Sequence, residues 1–303
     1  MSDALGTASI VIMAALLGGV VGSVALASPL ARYGPTAHNF RGFERPVALG
    51  LVAVGTIVLT RLLVLLVIAV AGGSLGLSLV AQLGAVVLAF AAGFQDDRQP
   101  EPVRGVVRQL AMAARGKITP GVVKLVGALV AAAVAVVAVG GDAVSFALGI
   151  PMIAGFANLG NLLDVRPGRT IKVFLAAAVV AGALGWPSQS MLLTAVAFGA
   201  AAAVLVADLG ERGMLGDGGA YALWIVIGIG LYNAVGRTGL IVSLALVVVL
   251  HILSETVTLS RLIRGTPPLR LLDQLGRMQP LEPDDGDMAA ALTRDDGGSA
   301  GLS

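Results

Sequence analysis

The sequence predicts an all-α membrane protein, a polytopic bundle of about nine to ten spanning helices, and three observations carry that prediction. Residues of the A/V/I/L/M/F/W/Y/C class make up 57% of the 303 residues, charged residues make up only 13%, and the mean hydropathy is +0.92. Soluble domains carry about 25% charged residues. So few charges cannot cover a water-facing surface, which indicates that lipid is the solvent of this chain.

Nine apolar stretches come close to the length of about 20 residues that a spanning helix needs. They cover 9–30, 46–70, 75–93, 119–139, 143–157, 171–186, 190–207, 219–235 and 239–259. The fifth and sixth are short, so we expect them to be tilted or partly interfacial. The first is expected to stay as a helix and not to be removed as a signal peptide, because its leader contains Asp3 and no base.

Lysine and arginine residues concentrate in alternate loops, which predicts the orientation of the chain. If the N-terminus lies outside, the inner loops are 31–45, 94–118, 158–170, 208–218 and everything after 260. These loops and their flanks hold all of the 20 bases except Arg237, in an outer loop, and Arg61, within the second stretch. Because basic residues favour the cytoplasmic side, the N-terminus is predicted to be outside. A charge as deep as Arg61 must face protein or a wet cavity.

Composition excludes several chemistries and divides the chain in two. There is no cysteine, so disulfides, thiolate metal sites and cysteine nucleophiles are excluded. Two histidines, His38 and His251, are too few for a histidine-rich metal centre. Residues 278–303 hold six acids and one base and lack an apolar period. We expect a membrane domain over 1–277 and a disordered, acidic cytoplasmic tail over 278–303.

Carboxylates gather at the predicted inner ends of the helices. The third stretch is followed by Asp96 and Asp97. Adjacent carboxylates on a helix point about 100° apart, so one can bind Mg²⁺ while the other steers or deprotonates a second substrate. A solvated helix end is the alternative for an isolated Asp-Asp pair. Glu255, after the ninth stretch, is most simply such a solvated helix exit.

A second polar group follows the fifth stretch. Asn158, Asn161 and Asp164 recur every three residues and share one broad face if the helix continues. Amides both donate and accept, which suits a phosphate, a sugar or a uracil edge, and helix capping is the alternative. Positive charge next to these side chains comes from Arg166, Arg169 and Lys172, which positive-inside topology alone also explains.

A glycine-rich turn precedes the eighth stretch. Its sequence is Gly216-Asp217-Gly218-Gly219. A glycine turn at a helix N-terminus exposes backbone N–H groups that can hold phosphate, and it leaves the carboxylate of Asp217 available for a metal. A flexible turn is an equally simple interpretation.

Taken in order, these motifs resemble the polyprenyl-phosphate N-acetylhexosamine-1-phosphate transferase family, which includes the phospho-N-acetylmuramoyl-pentapeptide transferases and the N-acetylglucosamine-1-phosphate transferases. The resemblance covers residues 8–260. It rests on four segments, namely Gly93-Phe94-Gln95-Asp96-Asp97, the Asn158/Asn161/Asp164 spacing, Met214-Leu215-Gly216-Asp217-Gly218-Gly219, and Asn39-Phe40-Arg41-Gly42 through Pro46.

The resemblance implies an enzyme of the plasma membrane, with a cytoplasmic active site, that serves cell-envelope glycan synthesis. Such enzymes move a sugar 1-phosphate from a UDP-sugar to undecaprenyl phosphate, release UMP and require Mg²⁺, with Mn²⁺ as an alternative. It also implies roles for this chain's residues: Asp96, Asp97 and Asp164 in catalysis; Asp217 and Asp97 on the metal; Asn158, Asn161, Arg166, Arg169, Lys172, Gly218 and Gly219 on the substrates. No nucleic-acid partner is expected, and the oligomeric state, a homodimer included, is open.

The sequence also departs from that family. Pro167 stands where a second aspartate is usual, and residues 255–277 contain no histidine although a histidine motif is expected there. A tenth helix is not evident after Leu259, and only Arg41 or Arg45 can replace the family's first-loop base. Two other interpretations therefore stay open. One is a homologue that binds lipid phosphate or nucleotide-sugar without turnover, and the other is a transporter, which the position of the acids at one surface disfavours.

Overall fold

The computed structural model describes residues 2–27, 35–70, 72, 76–98, 106–117, 119–186, 191–256 and 259–278. In these ranges the chain forms twelve helices. They are α1 (Ser2–Ala27), α2 (Leu49–Val70), α3 (Leu77–Arg98), α4 (Val106–Ala113), α5 (Pro120–Val139), α6 (Ala143–Leu163), α7 (Arg169–Leu184), α8 (Met191–Leu209), α9 (Gly216–Ala234), α10 (Arg237–Thr256), α11 (Leu259–Gly265) and α12 (Pro267–Gln274). The tail predicted over 278–303 lies outside the described residues from 279 onward.

The helices follow the nine apolar stretches closely, and the chain is a polytopic all-α membrane protein. Among the described helices, six are long and apolar enough to cross a membrane: α2, α3, α5, α6, α8 and α10. The span count of nine to ten and the orientation stay predictions. The expectation of a short fifth span is wrong, because α6 continues to Leu163 and has 21 residues. The sixth is short as expected, with 16 residues in α7.

A small hairpin interrupts the otherwise helical fold. Strands β1 (Thr36–His38) and β2 (Glu44–Pro46) pair antiparallel, with Ala37 opposite Arg45. Sequence patterning missed this hairpin because two strands of three residues are too short to show an alternating period. Gly42, at a φ of +78°, lies in the turn that joins the two strands.

Helix α9 is the core of the bundle. It packs against α2, α3, α5, α6, α7 and α8. Its side chains from Ala220 to Ile229 are buried on every face, as expected of a helix that is apolar all round. Glycines let two neighbours approach its first turn: a Cβ on Gly50 of α2 would lie 2.3 Å from the Leu215 carbonyl oxygen, and one on Gly93 of α3 would lie 2.5 Å from the Asp217 carbonyl oxygen.

The two ends of the bundle differ in their polar residues. Helices α3, α6 and α8 finish, and α5, α7 and α9 begin, at one end, which we call the carboxylate end. Thr119 caps the start of α5 there, with its hydroxyl accepting from the Val122 amide, and Pro120 is the first helical residue. At the opposite end, Asp142 caps α6 and forms an ion pair with Arg237 at 2.5 Å.

Arg61 faces the interior of the bundle, as its depth in α2 requires. Its side chain is completely buried, and its three guanidinium nitrogens have no hydrogen-bond partner within the described part of the chain. The hydroxyl of the neighbouring Thr60 is likewise buried, with no hydrogen-bond partner in the described ranges. These two buried polar residues are separate from the acids that cluster at the carboxylate end.

Candidate active site

Lys124 is the centre of the polar cluster, although it projects from an otherwise apolar turn of α5. Its Nζ atom donates to Asp96 Oδ2 at 2.6 Å and to Asp217 Oδ2 at 2.5 Å. The exposed fractions of the three side chains are 9%, 17% and 27%, so the contacts are largely withdrawn from water. One ammonium group thereby joins the end of α3 to the start of α9.

Asp97, next to Asp96, caps the start of α9. Its Oδ1 accepts from the Asp217 amide at 2.8 Å and its Oδ2 accepts from the Gly218 amide at 3.0 Å. The first amides of a helix have no intrahelical acceptor, and a carboxylate there is also favoured by the helix dipole. Asp97 therefore fixes α9 against α3.

Asp164 follows the last residue of α6 and approaches the same turn. Its carboxyl accepts from the Gly216 amide. Burial raises the pKa of Asp164 well above its usual range, and the nearby carboxylates of Asp208, Asp217 and Asp97 raise this pKa further. The site thus concentrates more negative charge than Lys124 alone offsets, a condition that favours proton or cation binding.

The two asparagines of α6 bond to different parts of the protein. Hydrogen bonding fixes the Asn161 amide with its nitrogen donating to Asp217 Oδ1 and its oxygen 3.3 Å from Lys124 Nζ. Asn158, one turn earlier, accepts from the Tyr221 hydroxyl at 2.6 Å and lies 2.9 Å from His251 Nε2.

His251 extends this network to α10. Its Nδ1 lies 2.8 Å from the Val247 carbonyl oxygen, which can only accept, so the proton is on Nδ1 and Nε2 accepts from Asn158. The Tyr221 ring in turn lies 5.4 Å from Lys124 Nζ. A continuous set of contacts therefore runs from the lysine to α10.

The first loop docks beside this cluster through Glu211. Asn39 Nδ2 donates to Glu211 Oε2 at 3.0 Å and Arg41 Nε donates to Glu211 Oε1 at 3.1 Å. The Phe40 ring contacts two guanidinium groups, with its centroid 4.8 Å from Cζ of Arg41 and 4.5 Å from Cζ of Arg166. The hairpin loop and the loop after α6 thus meet at the carboxylate end.

Arg169 and Lys172 point toward the C-terminal helices. Arg169 forms a bidentate ion pair with Asp273 of α12, with Nε to Oδ1 at 2.7 Å and Nη2 to Oδ2 at 3.1 Å. Lys172 Nζ donates to the backbone carbonyls of Leu272, Asp273 and Leu275. Both side chains thereby hold α12 against α7.

The structure brings together some of the predicted site residues and separates others. Those that meet around Lys124 and the first turn of α9 are Asp96, Asp97, Asn161, Asp164, Asp217 and Gly218. Gly219 packs against α2, since a Cβ there would lie 2.5 Å from the Gly50 Cα. Asn158 is connected through Tyr221, Arg166 stacks on Phe40, and Arg169 and Lys172 contact α12. The side chain of Glu255, in α10, lies outside the part of the protein that the structure describes.

Sequence reasoning did not assign Lys124, Tyr221, Glu211 or His251 to the site. Lys124 had a signal: it is a base inside an apolar helix, where charged residues usually have a specific partner. The other three carry no local pattern, because their partners are 63 to 172 positions away in the sequence.

Two carboxylates of the cluster are of the kind that Mg²⁺ binds. Among the residues that the structure describes, no group of three or more His, Cys, Asp or Glu side chains is arranged to hold a metal ion. Mg²⁺ does not need such a group, because it commonly binds through one or two carboxylates together with phosphate oxygens and water. Asp96 and Asp217 supply two carboxylates, and Asp96 Oδ1 is buried without a hydrogen-bond partner among the residues that the structure describes.

Comparison with known proteins leaves the chain at the level of its class. No protein-family model matches the sequence, and a search of curated proteins gives no match. The fold and the apolar helices define an all-α polytopic membrane protein. The family resemblance stays a prediction from the motifs.

Proposed function

We propose that the protein is a Mg²⁺-dependent glycosyl-1-phosphate transferase that acts on a polyprenyl phosphate. One observation carries the proposal: at one end of a membrane bundle, carboxylates from α3 and α9 share a single lysine, and a third carboxylate, from the end of α6, reaches the first turn of α9. A cluster of this composition suits a reaction that gathers several phosphate charges, since phosphoryl transfer depends mainly on positioning and electrostatics.

The reaction forms one phosphoanhydride bond and breaks another, and the sugar phosphate takes part in both. An oxygen of the lipid phosphate attacks the phosphorus that carries the sugar, and a new P–O bond forms. The bond from that phosphorus to the oxygen of the uridylate phosphate breaks, and UMP leaves with the electron pair. A phosphate monoester is largely ionised at neutral pH, with a second pKa of about 6, so the attacking oxygen needs no strong base.

Asp96 and Asp217 would hold the metal, which when bound offsets the phosphate charge. Lys124 stands between the two carboxylates at 2.6 and 2.5 Å and is the nearest cation for a phosphate oxygen that displaces either contact. Asn161 holds Asp217 in position from the other side. Asp164 adds negative charge that a bound cation would offset.

The contacts change several of the roles predicted from sequence. Both oxygens of Asp97 accept from α9 amides, which favours a positioning role over metal binding. The amides of Asp217 and Gly218 already have acceptors, so a phosphate cradle at this helix start is disfavoured. Arg169 and Lys172 are assigned to holding α12. Arg166, beside Arg41 and Phe40, is the base best placed to meet a nucleotide phosphate or ring.

The orientation supports a cytoplasmic site. The predicted inner loops contain the cluster and nearly all of the bases, which supports a location on the cytoplasmic side of the membrane. UDP-sugars are made in the cytoplasm, and the lipid substrate reaches the site through the bilayer.

The test measures UMP release by the full-length protein in lipid nanodiscs with UDP-N-acetylglucosamine, undecaprenyl phosphate and Mg²⁺. Asp96→Asn and Asp217→Asn are expected to lower turnover by about 10²-fold or more, because each removes a charge that the transition state needs. The matched control is Asp142→Asn, at the opposite end of the bundle. Turnover that survives both site changes would reject the assignment.

Failure of the wild type with every UDP-sugar tried would instead favour the homologue that binds without turnover. Other UDP-N-acetylhexosamines are therefore included in the same assay. A thermal shift with Mg²⁺ that disappears in Asp217→Asn would still locate the metal in that case.

A further inference from the structure

Arg169, the first residue of α7, bonds to both short C-terminal helices, α11 and α12. Besides its ion pair with Asp273 of α12, its Nη1 donates to Ser260 Oγ of α11 at 2.8 Å. Lys172, one turn further along α7, adds positive charge at the end of α12, where helix carbonyls lack partners. The two helices are thereby fixed to the carboxylate end of the bundle.

The opposite side of each short helix is apolar and exposed. Successive residues of an α-helix are about 100° apart, which places Leu271 about 160° and Leu272 about 100° from Asp273 around α12. Leu271 and Leu272 are 68% and 60% exposed, and Leu275, where the helix ends, is 62% exposed. In α11, Leu262 lies about 160° from Ser260 on the same reasoning and is also exposed.

Arginines occupy one flank between the anchored and the apolar sides. Around α12, Arg270 lies about 60° from Asp273. Around α11, Arg264 and Arg261 lie about 40° and 100° from Ser260, in the same rotational sense. All three are exposed. The two helices contain no acid besides Asp273, which is already paired with Arg169 and Arg277.

We propose that α11 and α12 form an amphipathic lipid-surface element that binds the anionic leaflet of the membrane. Helices with an apolar stripe and a basic flank lie in the plane of the interface, with the stripe among the acyl chains. Basic side chains near the surface are attracted to anionic headgroups. The ion pair to the first residue of α7 keeps this element at the end of the spanning bundle, where the leaflet surface lies.

The absence of cysteine makes a direct depth measurement simple. Single variants Leu271→Cys and Leu275→Cys of the full chain are labelled with a thiol-reactive fluorophore in nanodiscs that contain phosphatidylglycerol. Val67→Cys, at an exposed site in the spanning helix α2, is the lipid control. Glu44→Cys, at an exposed charged residue of the hairpin, is the water control.

We expect brominated lipids to quench the labels at 271 and 275 to within about twofold of the label at 67, because the stripe reaches the acyl boundary. Iodide should quench the label at 44 and should not quench the labels at 67, 271 and 275. Iodide quenching at 271 and 275 would place the stripe in water and overturn the proposal. Protection from both quenchers would show that a protein surface covers the stripe, and would overturn it equally.

The basic flank is tested in the Leu271→Cys background. Replacing Arg261, Arg264 and Arg270 by Gln should lower brominated-lipid quenching by about twofold in anionic nanodiscs, because the electrostatic attraction is lost. In nanodiscs of phosphatidylcholine the same replacements should have no effect. Equal loss in both lipids would mean that the arginines support the helices themselves and do not recognise the leaflet, which contradicts this part of the proposal.

Discussion

The two ends of the bundle hold ion pairs of nearly identical length in opposite surroundings. Lys124 and Asp217 are 2.5 Å apart at the carboxylate end, with 9% and 27% of their side chains exposed. Arg237 and Asp142 are also 2.5 Å apart at the other end, with 58% and 53% exposed. Distance alone therefore does not identify a functional pair. Desolvation makes the difference, because removing one partner of a buried pair leaves a charge that water cannot solvate.

The sharpest test of this contrast removes each cation in turn. Lys124→Met should lower the free energy of unfolding by about 3–5 kcal/mol, because Asp96 and Asp217 lose the charge that they share. Arg237→Met should leave stability and UMP release unchanged, because water solvates Asp142. The stability of both variants is measured by thermal unfolding in detergent, with and without Mg²⁺. Their UMP release is measured in the nanodisc assay.

Added Mg²⁺ should restore part of the stability of Lys124→Met, since the metal can take the place of the ammonium group between the two carboxylates. Equal stability of the two variants without Mg²⁺ would show that the buried environment does not distinguish the two ends. Failure of Mg²⁺ to stabilise Lys124→Met would argue against metal binding by Asp96 and Asp217.

A smaller effect is expected to distinguish Asp97 from Asp217 at the carboxylate end. Asp97→Ala should cost about 1–2 kcal/mol, the range for loss of a helix cap, because two amides of α9 lose their acceptor. It should keep the thermal shift with Mg²⁺, whereas Asp217→Asn should lose that shift. If Asp97→Ala also loses the shift, Asp97 is a metal ligand and the assignment here is wrong.

The smallest expected effect is a difference in pH dependence. Burial would raise the pKa of Asp273, but the hydrogen bonds and charge of Arg169 lower it overall. Its contribution to stability is therefore present above the unfolded pKa of about 3.9 and is lost as the pH falls through the lower folded value. Arg277 and Lys172 also face this carboxyl and act in the same direction.

Asp164 should have the opposite effect on the pH dependence of stability, because its folded pKa is raised. Its contribution is present below about 3.9 and is lost as the pH rises through the folded value. Unfolding midpoints of Asp273→Asn and Asp164→Asn, measured between about pH 3 and 7 in the absence of Mg²⁺, should deviate from the wild type with opposite slopes. Deviations of the same sign would contradict one of the two shifts.

The sequence was informative wherever an interaction is local. Runs of about 20 apolar residues locate the helices, and alternate helix ends locate the polar loops. The convergence of Asp96, Asn161 and Asp217 follows from the same alternation, because helices that run up and down in turn place every second loop on one side.

The partners of individual side chains were not accessible in this way. Asp97 resembles a metal ligand in sequence, yet the amides that donate to it belong to a helix start 120 positions away. Arg169 resembles a phosphate-binding base, yet Asp273 is 104 positions away. Such pairings depend on which helices touch, and apolar periodicity does not specify that in a bundle with so many similar helices.

The glycine contacts at the start of α9 limit what can move when a ligand arrives. Backbone atoms of α2 and α3 lie so close to this turn that a single methyl group has no space at Gly50 or Gly93. We therefore expect rearrangement on binding to come mainly from side chains, with Lys124 first among them. Selectivity between ligands would then depend on the reach of one flexible amine and not on closure of a domain.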